Sequence, residues 1–551
     1  MTSLAERLAR PEILALPRVD IAANPASARD IVKLDSNENG YPPLVTGPLA
    51  GDINRYPDPQ ALRLTARMAA LYGVALDEIV VTRGADDAID ALVRTFCRAG
   101  EVAVACCPPT FSQYAQAARI QGARVVEVPL TADFALDENA LIDAVRRDGA
   151  VKLVFLCSPN NPTGDVIAPE AVRRVTAALP NTLIVLDEAY IEFADVESMA
   201  TEATRADNLV VLRTLSKAYG LAGARIGALV GPATLTAIVG RVMPPYALPS
   251  PSLAAALDAL APTLMPIHAE RITAIIADRA RLATLLRDAD GVNSVREGGA
   301  NFLLLDVADP AELARRADAA GVLLRFRPQV APGAVRATIG TPPENAALLA
   351  LFGLAAERAN RTGQAIRQTK ETRIAVAIDL DRPEPRSIAT GIPFYDHMLD
   401  QVAAHAGFSL ILQCEGDLDI DAHHSIEDCA IAFGSALSEA LGARRGIGRF
   451  GFSLPMDETQ AEVLIDLSGR PFAKFDGDFT ASHIGAYPTE MTRHVFRSFA
   501  DSLGAALHVR VTGDNDHHKT EACYKAFGRS LRQAVRPEGD GQSVPSTKGV
   551  L

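Results

Sequence analysis

The sequence predicts an α/β fold with a large parallel-sheet domain and a small α+β domain, followed by a duplicated α+β domain. Short β-branched runs alternate with amphipathic helical stretches from Leu34 to about Val230, and a second, shorter alternation follows. An internal repeat near the end of the chain indicates the duplication. Because 551 residues are too many for one hydrophobic core, we expect several domains and place the main boundary between residues 1–360 and 361–551.

Three buried strands are predicted in the large domain, each followed directly by polar side chains: Val151–Cys157, Leu183–Leu186 and Leu209–Leu212. In a parallel sheet, ligands bind outside the carboxyl ends of such strands. A smaller α+β domain is predicted from Asn301–Val307 to Ala337–Ile339, and a helix over Pro343–Arg358 closes this half. The polar stretch Asn360–Gln368 follows and contains no low-complexity linker.

The composition changes sharply after this stretch, because nine of the ten histidines lie at or beyond His397. HHSIEDCAIAFGSALSEA at 423–440 aligns without gaps to HHKTEACYKAFGRSLRQA at 517–534, and nine of the eighteen positions match. A duplicated half-domain explains this repeat. Alternating stretches such as Thr372–Ile378 and Glu462–Asp466 predict strands on which the helices of each half pack.

Charge and composition exclude several classes of protein. The net charge of −13 argues against nucleic acid or an anionic membrane as the main partner. The seven cysteines are odd in number and show no C-x-x-C spacing, which is typical of a reduced compartment. MTSLAERLARPE lacks the apolar core of a signal peptide, and no apolar run reaches the ~18 residues of a membrane span. We therefore expect a cytoplasmic protein.

Four chemically informative elements occur in order in the first half: Asn161 in SPNNPTG, Asp187 and Tyr190 in LDEAY, Lys217 after a serine, and Arg225. A lysine amine can bind an aldehyde cofactor covalently and move protons. A buried aspartate keeps a pyridine nitrogen protonated, so that the ring accepts electrons. Ser216, Arg225 and the backbone at 84–86, where a helix opens, suit a phosphate. Each signal is weak alone, but the ordered set predicts a pyridoxal phosphate (PLP) site.

The surrounding strings resemble the fold-type I PLP-dependent aminotransferases, and among them the histidinol-phosphate aminotransferase family. The resemblance covers roughly residues 10–358 and rests on LDSNENGYPP (34–43), RYPDP (55–59), TRGADDAID (82–90), CPPTFSQY (107–114), SPNNPTG (158–164), DEAYIEF (187–193), RTLSKAYGLAGARIG (213–227) and VRATIG (335–340).

This resemblance implies a cofactor site in which Lys217 binds PLP covalently and Asp187 contacts the ring nitrogen. Tyr190 and Asn161 would hold the phenolate, and Phe111 would stack on the ring. The other implied cofactor contacts are Tyr56, Ala85, Asp86, Ser216 and Arg225.

The resemblance also implies a dimer, because Tyr56 would reach the phosphate of the neighbouring subunit's cofactor. Arg336 would bind the α-carboxylate of glutamate as a bidentate partner. Arg325 would meet the phosphate of the second substrate. No counterpart is found of an N-terminal tyrosine that recognises substrate in some relatives.

In the second half, the motif H-H-x-x-E occurs twice, at His423-His424-Glu427 and at His517-His518-Glu521, and another histidine precedes each copy, His397 and His494. On a helix, the first histidine and the glutamate share one face while the adjacent histidine points about 100° away. Neighbouring histidines therefore serve two metals better than one. Mixed nitrogen and oxygen ligands of this kind fit Mn, Fe or Zn.

Residues 366–551 resemble the imidazoleglycerol-phosphate dehydratase family. The strings that carry the resemblance are TKET (369–372), GIPFYDHMLDQ (391–401), HHSIED (423–428), RFG (449–451), PMDE (455–458), DLSGRP (466–471), HHKTEACYKAFGRSLRQA (517–534) and PSTKGVL (545–551).

By this resemblance, two manganese ions are implied. One would take His397, His424, His517 and Glu521, and the other would take His423, Glu427, His494 and His518. Substrate phosphate would be held by Arg449, Arg470, Ser546 and Lys548. Glu371 would contact substrate, and either Glu371 or Glu521 would act as acid or base.

The two resemblances imply consecutive steps of histidine biosynthesis. The dehydratase step would convert imidazoleglycerol phosphate to imidazole-acetol phosphate, and the aminotransferase step would convert that ketone with L-glutamate to L-histidinol phosphate and 2-oxoglutarate. The dehydratase family forms 24-subunit shells with shared sites, so we expect a homo-oligomer in which aminotransferase dimers decorate such a shell.

Several alternatives remain at this point. Aromatic aminotransferases and PLP-dependent threonine-phosphate decarboxylases share the first set of motifs. A PLP-sensing transcription factor would need a helix-turn-helix, for which about 30 residues before the first motif leave too little room, and the acidic balance disfavours DNA. One half could also be a catalytically inactive scaffold, although every expected catalytic side chain is present in both halves.

Overall fold

A computed structural model describes residues 32–34, 37, 57–58, 61–354, 361–451, 454–456, 458–538 and 545. The chain divides into two compact units. The first lies within residues 1–260 and 270–357, and the second lies within 261–269 and 358–551. The boundary predicted at residue 360 would assign residues 261–269 to the first domain. In the structure these residues group with the second unit.

The described strands of the first unit are β1 (Val32–Lys33), β2 (Ile79–Thr82), β3 (Ala103–Cys106), β4 (Arg124–Glu127), β5 (Val151–Cys157), β6 (Leu183–Asp187), β7 (Leu209–Thr214), β8 (Gly227–Val230), β9 (Val292–Glu297), β10 (Phe302–Val307), β11 (Val322–Leu323), β12 (Arg325–Phe326) and β13 (Ala334–Thr338).

The helices up to residue 350 are α1 (Leu62–Tyr72), α2 (Ala85–Phe96), α3 (Gln113–Gln121), α4 (Glu138–Asp148), α5 (Pro169–Ala178), α6 (Ala200–Ala203), α7 (Ala233–Gly240), α8 (Ser250–Ala259), α9 (Met265–Arg287), α10 (Pro310–Ala319) and α11 (Pro342–Ala350).

The large sheet has seven strands in the order β2-β8-β7-β6-β5-β3-β4. The strands from β7 to β4 run parallel, and β8 is antiparallel to both β2 and β7. Every residue of β7 is buried, as is every residue of β5 except Lys152, which is exposed. Continuous apolar runs of this kind indicate a sheet covered on both faces. The predicted large parallel-sheet domain is confirmed.

A second, four-stranded sheet has the order β12-β13-β10-β9, with antiparallel neighbours, and forms the predicted small α+β part. Helix α11 begins in a capping box, in which Glu344 accepts from the backbone amide of Thr341. The helix ends at Ala350, well before the predicted Arg358, because the chain turns at Gly353 with a left-handed φ of +70°.

The described strands of the second unit are β14 (Thr362–Gln368), β15 (Thr372–Asp379), β16 (Arg386–Ala389), β17 (Ser409–Gly416), β18 (Phe450–Gly451), β19 (Leu454–Met456), β20 (Thr459–Asp466), β21 (Phe472–Asp476), β22 (His483–Ile484), β23 (Tyr487–Pro488) and β24 (Ala506–Thr512). Its helices are α12 (Pro393–Ala406), α13 (His423–Leu441), α14 (Met491–Leu503) and α15 (Asp516–Ala534).

The two halves of this unit share one topology, which confirms the duplicated α+β fold. One sheet has the order β14-β15-β17-β16 and the other runs β18-β20-β24-β21, with β19 also paired to β20. In each sheet the first two pairings are antiparallel and the last is parallel. The two aligned repeats form α13 and α15, and aromatic and aliphatic side chains from both halves build one core.

The polar stretch before this unit does not connect domains as a loop. Residues Thr362–Gln368 form β14, an edge strand paired along its full length with β15. Its buried Gly363 lies against α13 so closely that a Cβ there would meet the carbonyl oxygen of Ala436. An edge strand exposes much of its surface and can therefore carry polar side chains. Its sequence then lacks the apolar pattern by which a strand is usually predicted. In the described residues, no helix has both the length and the apolar character needed to span a membrane.

Candidate active sites

A cavity of about 700 Å³ lies at the carboxyl ends of β5, β6 and β7. Its walls are Asn37, Ala85, Asp86, Phe111, Cys157, Asn161, Asp187, Ala189, Tyr190, Thr214, Ser216, Lys217, Ala222, Arg225, Arg325, Arg327 and Arg336. The fold thus brings together every cofactor and substrate residue that the sequence predicted for the first half, apart from Tyr56, which lies outside the described residues.

Asp187 ends β6 and is only 3% exposed. Its carboxylate accepts hydrogen bonds from the Tyr114 hydroxyl at 2.7 Å and from the Ala189 amide at 3.1 Å. Burial raises the pKa of this carboxyl to about 6, although the hydrogen bond from Tyr114 acts in the opposite direction. A cationic group in the cavity would favour the ionised form, which is the requirement of a protonated pyridine nitrogen.

Tyr190 lies beside Lys217 in the same cavity. The side-chain amide of Asn37 donates to the Tyr190 hydroxyl oxygen at 3.0 Å, and the Lys217 amine lies 5.7 Å from the centre of the tyrosine ring. Burial raises the pKa of Tyr190 to about 12. The hydroxyl therefore remains protonated at neutral pH and can donate to an oxyanion in the cavity.

One end of the cavity has the features of an anion site. Helix α2, twelve residues long, opens after Gly84, which has a left-handed φ of +84°. A Cβ at Gly84 would lie 2.8 Å from the Arg225 guanidinium, and one at Gly227 would lie 2.6 Å from the carbonyl carbon of Gly84. This close packing places Ser216 and Arg225 at the helix N-terminus, where backbone amides attract phosphate. The donor set fits the phosphate of PLP.

Arg225 already has a partner within the protein. Its guanidinium forms an ion pair with Asp86 at 2.9 Å, and both side chains are about half exposed, at 49% and 51%. The pair is solvated and weak, so a doubly charged phosphate can compete with Asp86 for the same guanidinium.

Two arginines on neighbouring strands of the small sheet line the same cavity. Arg325 on β12 is the register partner of Arg336 on β13. Arg336 is 3% exposed, donates to the Asn161 side-chain oxygen at 2.5 Å and lies 5.3 Å from the centre of the Phe302 ring. Two cationic side chains in one cavity suit a substrate with anionic groups.

Sequence reasoning missed several residues of this site, among them the wall residues Asn37, Thr214 and Arg327 and the Asp187 partner Tyr114. Asn37 and Tyr114 stand inside the strings LDSNENGYPP and CPPTFSQY, so the motif contained them but gave no reason to select them. Thr214 donates to the Ser216 hydroxyl at 2.9 Å. No spacing rule points to Arg327.

In the second unit, the two H-H-x-x-E motifs have the same geometry. The histidine Nε2 and glutamate oxygen lie 3.6 Å apart in the His423–Glu427 pair and 3.4 Å apart in the His517–Glu521 pair. The adjacent histidine rings are separated by 6.1 Å at 82° in α13 and by 6.0 Å at 85° in α15. Each helix therefore sends its two histidines in different directions.

The upstream histidines join these pairs crosswise. His397 Nε2 lies 3.8 Å from Glu521, and the His494 ring lies 5.5 Å from the His423 ring. One triad is thus His397, His517 and Glu521, and the other is His423, Glu427 and His494. Burial opposes ionisation of Glu521, but the hydrogen bond and charge of Lys525, together with the charges of His397 and His517, outweigh it and lower the pKa of the carboxyl. The donors of each triad suit the class of metal that binds imidazole and carboxylate.

The fourth predicted ligand of each set contacts a different carboxylate. His424 Nδ1 lies 3.2 Å from Asp417, and His518 Nδ1 lies 2.9 Å from Glu458. Asp417 raises the pKa of His424 by this hydrogen bond. Among the described residues of the single chain, no group of three or more His, Cys, Asp or Glu side chains is closed into a metal-binding arrangement.

Three of the five predicted substrate residues of this unit lie among the described residues. Arg449 donates to Asp466 at 2.6 Å and to the Pro545 carbonyl at 2.9 Å. Arg470 and Glu371 are exposed. Ser546 and Lys548 lie outside the described residues, so their predicted contact with phosphate stays a prediction.

Comparison with known proteins gives a family for each part of the chain. The family model for aminotransferase class I and II matches residues 29–351, which is more than half of the chain. The model for imidazoleglycerol-phosphate dehydratase matches residues 390–531.

Among solved structures, histidinol-phosphate aminotransferase from Sinorhizobium meliloti, in complex with pyridoxal-5'-phosphate, superposes with a TM-score of 0.55 and 29% identity. The match covers 62% of this chain and 95% of that protein.

The chain spans about half the length of the curated relatives it matches. It is 54% identical over 193 residues to the histidine biosynthesis bifunctional protein HisB of Stenotrophomonas maltophilia, covering 35% of this chain and 54% of that protein. It is 53% identical over 197 residues to the protein of the same name from Actinobacillus pleuropneumoniae, covering 36% and 54%. The chain belongs to the class I and II aminotransferase family and carries an imidazoleglycerol-phosphate dehydratase domain after it, so it is a fusion of two enzyme families.

Proposed function

We propose that this protein is a bifunctional enzyme of histidine biosynthesis. The second unit dehydrates D-erythro-imidazoleglycerol phosphate to imidazole-acetol phosphate. The first unit transaminates that ketone with L-glutamate and releases L-histidinol phosphate and 2-oxoglutarate. The observation that carries the proposal is the pairing, in one chain, of a Lys217–Asp187 cavity in an aminotransferase fold with a duplicated histidine cluster in a dehydratase domain.

In the first unit, bound PLP would supply an electron sink for the carbanion formed at the substrate Cα. The Lys217 amine would hold the cofactor and move the proton at Cα. The buried carboxyl of Asp187 would contact the ring nitrogen and keep it protonated. Tyr190 and Asn161 would orient the phenolic oxygen, and Phe111 lines the wall on which the ring would stack.

Two arginines of the cavity support the proposed choice of substrates. Arg336 would hold the α-carboxylate of glutamate, and Arg325, its register neighbour, would meet the phosphate of the imidazole substrate. Both amino donor and ketone acceptor therefore find a cation in the same cavity. This matches a transaminase that alternates between a dicarboxylate and a phosphate ester.

In the second unit, two divalent cations, for which manganese is our choice, would act as Lewis acids that stabilise negative charge on the imidazole ring and on the departing hydroxide. Residues His397, His424, His517 and Glu521 would hold one cation, and His423, Glu427, His494 and His518 would hold the other. Glu371 or Glu521 would move the proton from carbon, which no carbonyl acidifies.

In the single chain, three members of each ligand set are linked by pairwise contacts, but no three of the described side chains could together hold a metal ion. This supports an assembly in which neighbouring subunits complete the sites, as in the shells of the dehydratase family. We propose aminotransferase dimers on a 24-subunit dehydratase shell. Light scattering should then give a mass far above that of a dimer, and a simple dimer in solution would refute this assembly.

The direct experiment supplies the protein with imidazoleglycerol phosphate, glutamate, PLP and manganese. Histidinol phosphate should appear, and omission of glutamate should stop the reaction at the ketone. Lys217→Ala should abolish transamination and the cofactor absorbance while dehydration continues. His517→Ala should have the opposite effect and serves as the matched control. Equal loss of both activities in either variant would contradict two independent sites.

A further inference from the structure

Two of the predicted metal ligands, His424 and His518, each contact a carboxylate that belongs to neither predicted ligand set. His424 presents Nδ1 to Asp417, with distances of 3.2 and 3.4 Å to the two carboxylate oxygens. His518 presents Nδ1 to Glu458, with distances of 2.9 and 3.1 Å. The two histidines occupy the same position of the duplicated motif, so the arrangement occurs once in each half.

A carboxylate only accepts hydrogen bonds, so the imidazole must donate from Nδ1. In the neutral ring the proton then resides on Nδ1, and the Nε2 lone pair is exposed for another ligand. The contact also fixes the rotation of a ring that is otherwise partly exposed, at 45% for His424 and 32% for His518. Metal-bound histidines commonly have such a partner on the second nitrogen.

The two carboxylates come from different positions of the duplicated fold. Asp417 directly follows β17, whereas Glu458 directly precedes β20. The counterpart of Glu458 in the first half is Glu371, because each of these glutamates is followed by the threonine that opens the equivalent strand.

The carboxylate of Glu371 has no hydrogen bond or ion pair among the described residues, and its side chain is exposed. The duplication has therefore produced two equivalent glutamates, of which only Glu458 is bonded to a histidine. In the first half the histidine is hydrogen-bonded to Asp417 instead, so Glu371 is not needed to hold a histidine.

We propose that Asp417 and Glu458 are positioning residues that hold His424 and His518 with Nε2 directed at the metals. Neither residue would touch metal or substrate. Each acts through its histidine, by selecting the tautomer and the ring orientation before the cation arrives. This inference rests on the proposed dehydratase function, since it assigns a task within the same metal sites.

The test uses the full-length protein after removal of metal with a chelator. Mn²⁺ is then titrated into wild type, Asp417→Ala and Glu458→Ala, and free Mn²⁺ is followed by electron paramagnetic resonance. Loss of such a partner typically weakens metal binding 10–100-fold, and we expect this for one of the two sites in each variant. Glu415→Ala, an exposed residue of β17 two positions before Asp417, is the matched control and should bind as wild type does.

Two further measurements separate positioning from a general structural effect. Glu458→Gln keeps an acceptor oxygen and should restore part of the lost affinity. In a His518→Ala background, Glu458→Ala should have no additional effect, because the group through which it acts is gone.

Unchanged Mn²⁺ affinity in both Ala variants would overturn the proposal, and so would an equal loss with and without His518. If wild type itself bound no Mn²⁺, the dehydratase assignment would fail instead. An unchanged calorimetric transition of the second unit in each metal-free variant shows that this unit has folded.

Discussion

At the scale of single residues, burial decides how the charged groups of the first cavity behave. Asp187 is an ordinary carboxylate in the sequence, but the structure places it between β5 and β7, with Tyr114 as a partner 73 positions away. Its pKa rises from 3.8 to about 6 because water is excluded. Ionisation of this buried carboxyl is unfavourable without a ligand, and a cationic ring in the cavity would make it favourable.

Asp187→Asn tests the free-energy cost of ionising this buried carboxyl in the cofactor-free protein. Because its pKa is raised, Asp187 contributes its full share of folding stability below pH ~4. This contribution is lost as pH rises through about 6, because the buried carboxyl must then ionise. A shift of about two units corresponds to ~2–3 kcal/mol. The variant should therefore unfold at higher urea concentration than wild type at pH 8.

At pH 4 the same two proteins should be equally stable, since both then carry a neutral side chain at this position. PLP affinity should fall in the variant, because the ring nitrogen loses its carboxylate. A stability difference that did not depend on pH would show that Asp187 does not ionise within this range.

At the scale of elements, the contact between β8 and the start of α2 builds the anion site. Gly84 ends the turn after β2, and Gly227 opens the antiparallel strand β8 beside it. Gly227 has no room for a Cβ, since the nearest atoms would be the backbone of residue 84, whereas a Cβ at Gly84 would meet the movable guanidinium of Arg225. The approach of two backbones thus fixes where the helix amides point.

Gly227→Ala should displace the α2 N-terminus, because a Cβ would come within 2.6 Å of backbone that cannot rotate away. We expect a loss of ~1–3 kcal/mol in stability, typical of forced repacking, together with weaker PLP binding. Gly223→Ala is the control, because a Cβ there meets nothing within 4 Å. Urea unfolding and a PLP titration measure both effects, and equal behaviour of the two variants would contradict the role of this contact.

At the scale of the whole molecule, two compact units carry the two families. The second unit has a continuous core of its own, built from both halves of the duplication. A ligand stabilises only the part of a protein that binds it, by ~2.7 kcal/mol at a hundred times its dissociation constant. Cofactor and metal should therefore act on separate transitions.

Differential scanning calorimetry checks this expectation. Adding PLP to cofactor-free protein should raise one transition temperature and leave the other unchanged, while Mn²⁺ added to chelator-treated protein should do the reverse. Chelation should also abolish dehydration without lowering transamination. A single transition that both ligands shift equally would show that the units unfold together.

The sequence predicted the central features of both units because their signals are local. The apolar runs of β5, β6 and β7 are continuous in the chain, and so are the repeats that form α13 and α15. The edge strand β14 was missed, since its polar residues gave no hydrophobic period although its backbone pairs fully with β15.

The sequence by itself determined the two families, the duplication and the reactive side chains, since each depends on residue type and on spacing along the chain. Only the tertiary structure decided which groups act through which others. Tyr114 with Asp187, Glu458 with His518 and Asn37 with Tyr190 are joined across 73, 60 and 153 positions. Hydrogen bonds need atoms within about 3 Å, and only the packing of strands and helices brings residues so distant in sequence to that separation.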